Sequence, residues 1–127
     1  MTADIMALQP KDRVRQDSAP IALMYRTMGT KAAEEVVGRA LGEMTFAISG
    51  LSSLVLAQDM TDLSRQMRRL IRMSDQLGMV SLGQVAGDVR ACLSEGDKIA
   101  FSAVWARFLR VAERSLAIET DLLDQSH

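Results

Sequence analysis

The residues best equipped for intermolecular chemistry are four arginines within eight positions: Arg65, Arg68, Arg69 and Arg72. Spacings of three and four put them on one face of a helix, opposite Met67, Leu70 and Ile71. A guanidinium is a planar fork that grips carboxylate or phosphate through paired hydrogen bonds and stays charged at physiological pH. Such a face suits docking on an acidic surface, a carboxylate cluster or a phosphate; a solvated basic face is the plain alternative. Asp62 is spaced to pair with Arg65, and Asp75 with Arg68 or Arg72, so repulsion along the stripe is only partly relieved. The partner-binding set read from the sequence is Arg65, Arg68, Arg69, Arg72 and Asp75.

Catalytic equipment is absent from the pattern. His127 is the sole histidine, and one imidazole makes neither a triad nor a metal site. Cys92 is the sole cysteine and falls one turn after Val89 on an apolar helix face, where a structural thiol is expected rather than a nucleophile. Phosphate-loop, zinc-protease and EF-hand spacings do not occur. The carboxylates Glu34, Glu35, Asp59, Asp62 and Asp88 sit at helix starts and polar faces, as caps and solubilising groups do. The expectation is a non-enzyme with no catalytic residue, no metal and no cofactor.

Composition narrows the partner. With 15 basic and 16 acidic side chains, the net charge of -1 supplies no bulk attraction for nucleic acid or an anionic membrane. No run approaches the roughly 18–20 apolar residues of a membrane span, and the N-terminus lacks a signal-peptide pattern. A single cysteine fits a reducing compartment, so a cytoplasmic protein is expected.

The elements that must position these residues are helical. Aromatics make up only 4% of the chain while Leu, Met and Ala abound, which disfavours strands. Residues 1–17 read as a flexible tail, and residues 18–127 as one helical domain. Ser18-Ala19-Pro20 starts a short helix that Gly29 stops, with Met24, Tyr25 and Met28 forming a lid over the bundle end. Thr30 is placed to cap a long second helix whose face is Val37, Leu41, Met44, Ile48, Leu51 and Val55. Within it Gly38 and Gly42 offer close approach to a neighbour, and Gly50 a kink. Asp59 or Thr61 caps a third helix ending at Gly78, and a fourth runs through Leu82, Val85, Val89 and Leu93 to Gly96. The fifth shows Phe101, Val104, Phe108, Val111, Ser115, Ile118 and Leu122 at heptad spacing. The predicted fold is all-α: an up-down antiparallel four-helix bundle with a short additional N-terminal helix.

The segment Arg68-Arg69-Leu70-Ile71-Arg72-Met73-Ser74-Asp75-Gln76-Leu77-Gly78, followed by a helix closing in Gly96-Asp97, resembles the histidine-containing phosphotransfer (HPt) domain family. That family carries His-x-Leu-Lys-Gly-Ser-x-x-x-Leu-Gly on one bundle helix, then an amphipathic helix ending in Gly-Asp. Leu70, Leu77, Gly78, Gly96 and Asp97 fall at the family's positions, and the helix order matches over residues 20–123. Arg68 stands where the family has its phosphate-accepting histidine, Ile71 replaces its lysine and Arg72 its glycine. A guanidinium cannot accept a phosphoryl group as an imidazole does. The resemblance therefore implies a phosphotransfer-like signalling module that has lost its acceptor. Its implied partner is a response-regulator receiver domain or a sensor kinase, which it would meet as competitor or adaptor. The alternative from the residues alone is a helical interaction module, for instance a homodimer burying the Met- and Gly-bearing face of the second helix.

Overall fold

In the computed structural model, which describes residues 13–125, helix follows helix with almost no linker. The described residues form α1 (Ala19–Met28), α2 (Thr30–Ser49), α3 (Leu51–Leu56), α4 (Met60–Leu77), α5 (Val80–Glu95) and α6 (Lys98–Gln125), and none of them is in a strand. The part of the expected tail before Arg13, and His127 with the end of the chain, lie outside the described residues.

Local chemistry accounts for the boundaries. Pro20 occupies the first turn of α1, where its missing N–H costs nothing. The α1 start is held by Asp17, whose Oδ1 accepts from the Ala19 N–H at 3.0 Å, and not by a Ser18 side-chain cap. Thr30 is the first helical residue of α2, with Gly29 at the cap position. Asp59 caps α4, accepting from the Asp62 N–H at 3.1 Å. Asp97 does the same for α6 through the Ala100 N–H at 3.0 Å. Gly78 and Gly96 close α4 and α5 in the left-handed conformation, where a side chain would be strained. The long second helix breaks at Gly50, so α2 and α3 are separate elements.

The core is one cluster built on α2 to α6. Met44, Leu51, Leu63, Met67, Leu70, Leu82, Val89 and Phe108 are each exposed by 1% or less. α4 packs on α5 and α5 on α6, with α2 laid against both α4 and α6. The chain reverses at Gly78–Met79, which brings Gly83 of α5 back against Ser74 of α4. Along α6 the rings of Phe101, Trp105 and Phe108 stack in sequence at 5.8 and 5.1 Å.

Three expectations do not hold. On α6 the buried stripe runs Phe108, Val111, Ala112, Ser115, Glu119, while Leu122 is exposed. A straight helix turns every 3.6 residues, so a heptad stripe drifts by about 20° per repeat and passes from the Leu122 side to the Glu119 side. Gly42 faces open space and mediates no close approach, and Gly38 meets Leu123 only at ordinary contact distance. The α1 lid is made by Ile21 and Met24, whereas Met28 is exposed.

Residues 13–17 also differ from a free tail. They form a strap across the α4–α5 turn, with Asp17 N–H donating to Gly78 O at 2.7 Å and Ser81 N–H to Arg15 O at 3.2 Å. The Arg15 N–H donates to Ser81 Oγ at 2.7 Å, and the Gln16 amide reaches Glu119 Oε2 at 2.8 Å. The boundary at 17/18 therefore does not separate a tail from the domain.

Candidate functional site

The amphipathic pattern of α4 decides where its arginines point. Leu63, Met67, Leu70, Ser74 and Leu77 turn into the core, and at 100° per residue this leaves the opposite face to Arg65, Arg68, Arg69 and Arg72. All four are exposed. Arg65 is paired with Asp62 at 2.8 Å. Arg68, Arg69 and Arg72 have no carboxylate within 4 Å among the described residues, and Asp75, though exposed beside them, closes onto none of them. The expected pairing of Asp75 with Arg68 or Arg72 is therefore absent: the aspartate stays solvated, as surface pairs contribute little and cost side-chain entropy. Three guanidiniums thus stand in water within two helical turns, with their hydrogen-bond donors available to a partner.

A second feature flanks this face, one that the sequence pattern does not announce. Between α4 and α5 runs a groove of about 590 Å³ lined by Thr61, Ser64, Gly87, Arg90 and Ser94. Gly87 leaves the α5 bank low, since nothing lies within 4 Å of where its Cβ would be. Arg90 lies half-buried with its Nε shielded from solvent and without a hydrogen-bond partner. Ser64 and Arg68 are one turn apart on α4, so the hydroxyl groove continues into the arginine stripe. Cations beside hydroxyl donors suit an anionic or carboxylate-bearing surface. The signal for Arg90 was its place one turn beyond Gly87, legible only once α4 is known to lie alongside.

The remaining candidates separate from this site. Cys92 is half-buried at one end of the bundle, in a cleft of about 360 Å³ with Val55, Met60, Leu93 and Phe101. Burial pushes its thiol pKa up, and the nearby charges of Asp97, Glu95 and Asp88 push it the same way, so the thiolate that reacts is disfavoured. Asp88 is taken by Arg107 at 2.6 Å, which ties α5 to α6. No group of three or more His, Cys, Asp or Glu among the described residues is placed to hold a metal ion, and none of the described helices is long and apolar enough to cross a membrane.

Buried polar groups gather at the other end of the bundle. Glu119 is 7% exposed, and its carboxyl is pushed above the usual carboxylate range by burial, an effect partly offset by the Gln16 hydrogen bond. A heptad stripe drawn through Ile118 and Leu122 passes it by, which is why the sequence did not mark it as inward. Compared with models of known protein families, with curated proteins and with solved structures, the chain matches none.

Proposed function

We propose that this chain is a non-catalytic helical module that binds another protein through the arginine face of α4. The partner surface is acidic, and the groove between α4 and α5 accepts part of it. The observation that carries the reading is the outward cluster of Arg68, Arg69 and Arg72, with no carboxylate in reach among the described residues. Charges left unpaired in the free protein gain most when a partner supplies the counter-charge and excludes water.

The resemblance to phosphotransfer domains makes this partner concrete. On that reading the helices form an up-down four-helix bundle in the cytoplasm, and Arg68 occupies the place of the phosphate-accepting histidine. The acidic pocket of a receiver domain, or the corresponding surface of a sensor kinase, then faces Arg68 and Arg72. Without an acceptor imidazole at that place, the module competes for or bridges the partner and takes no phosphoryl group there. Titration calorimetry against a receiver domain tests this. Saturable binding is expected, and Arg68→Ala and Arg72→Ala should each weaken it by about 1.5–3 kcal/mol, the worth of a hydrogen bond to a charged group. A receiver domain that gives no binding, or binding indifferent to both substitutions, overturns the reading.

Self-association is the second reading, favoured by one observation. Phe46 is 81% exposed on the outer face of α2 and Leu56 is 86% exposed on α3. Met44, the methionine expected on a dimer face, is fully buried, so a dimer would use Phe46 instead. Sedimentation at rising concentration separates the two: a monomer throughout removes this second reading.

A further inference from the structure

We infer that the cleft between α1, α2 and the C-terminal half of α6 is a binding site for a small aliphatic amine, with Glu119 and the Gln16 carbonyl receiving its ammonium group. The cleft has a volume of about 340 Å³, at the lower end of the range of small-molecule pockets. Ile21, Ala22, Tyr25 and Val37 give it walls that are mostly apolar, and Gln16, Ser18 and Glu119 are the polar residues beside them on its lining.

The polar balance of the cleft sets the class of ligand. Glu119 lines it while 93% of the residue is withdrawn from solvent, taking the 7% exposure from the whole. Its carboxyl receives one neutral hydrogen bond, on Oε2 from the Gln16 amide at 2.8 Å, and has no cation within 4 Å among the described residues. The same Gln16 amide nitrogen also reaches Ser115 O at 3.4 Å, which leaves the Gln16 Oε1 acceptor buried and without a partner. An uncompensated buried carboxyl and an unused acceptor side by side are costly, and both are relieved by a group that brings donors and positive charge. An ammonium offers three N–H donors on a compact charge. The apolar walls ask that it be carried on a hydrocarbon body. A carboxylate or phosphate ligand meets the like charge of Glu119 and no cationic side chain on the lining, which distinguishes the cleft from the arginine face on α4.

The test uses the full chain and three probes of equal length: n-hexylamine hydrochloride, n-hexanol and sodium hexanoate. Titration is followed by backbone amide shifts in two-dimensional NMR. Saturable shifts centred on Ile21, Ala22 and Glu119 are expected with the amine and not with hexanoate. Glu119→Gln keeps the Gln16 hydrogen bond but removes the charge, and should weaken amine binding at least about tenfold. Ala22→Leu narrows the cleft without touching the carboxyl and should weaken it as well, with the unfolding midpoint confirming that the variant folds. Failure of the amine to saturate, equal binding of hexanol, or undiminished binding by Glu119→Gln each overturns the proposal. None of these outcomes touches the docking face on α4.

Discussion

Gly78 and Gly96 form a matched pair for measuring what the N-terminal strap contributes. Both end a helix in the left-handed region, at φ 73 and ψ 22 for Gly78 and φ 69 and ψ 22 for Gly96. An alanine at either position meets the same backbone strain, about 1–2 kcal/mol. Around Gly96 a new Cβ finds open space, so the strain is the whole cost. At Gly78 the Cβ would overlap the Asp17 carbonyl oxygen, and the strap must lift. Lifting it releases five hydrogen bonds, those of Asp17 to Gly78, Ser81 to Arg15, Arg15 to Ser81, and Gln16 to both Glu119 and Ser115. At about 0.5–1.5 kcal/mol each, less the chain entropy recovered, an additional ~1–3 kcal/mol is expected for Gly78→Ala over Gly96→Ala. Urea unfolding followed by circular dichroism reads both values directly. A chain beginning at Ser18 should remove most of the difference between the two substitutions, leaving only the Pro20 Cδ contact at 3.3 Å. Equal costs in the full chain would refute the argument, because the strap would then add nothing to stability.

Glu119 is more readily protonated in the fold than in the unfolded chain, so its contribution to stability is greatest below the ordinary carboxylate range. That contribution is lost as pH rises through its raised value, so Glu119→Gln should exceed the native chain in stability at neutral pH, and the gap should close on acidification. Comparing the two unfolding midpoints across pH 3–8 checks the sign. Cys92 should react with a thiol reagent more slowly than a small-molecule thiol at neutral pH, because burial and three nearby acids disfavour its thiolate. Phe108→Ala should cost about 3–5 kcal/mol in chemical unfolding, since the ring is fully buried among α6 and its neighbours.

Much of the helical pattern was legible in the chain because it rests on local chemistry. Pro20, Asp59, Gly78 and Gly96 punctuate helices in the positions their backbone preferences dictate. The outward direction of Arg65, Arg68, Arg69 and Arg72 followed from their spacing against Leu63, Met67 and Leu70. What the sequence concealed depends on other elements. Glu119 is inward because α6 keeps a 3.6-residue turn over its length, so a strict heptad misassigns its last turns. Arg15, Gln16 and Asp17 look like tail residues until the α4–α5 turn presents Gly78 and Ser81 to them. Asp75 has the right spacing for Arg72, yet a surface ion pair has too little energy for spacing alone to enforce it. Arg90 joins the α4 surface only through the packing of two helices, which periodicity along one helix cannot reveal.

Whether the α4 arginines form a contact surface is read by shift mapping with a bound receiver domain. On titration of isotope-labelled protein, the largest amide changes should fall at Arg65, Arg68, Arg69, Arg72 and Arg90, and should fade as salt screens the charges. Changes confined to α2 and α3, or none at saturating partner, would contradict the account.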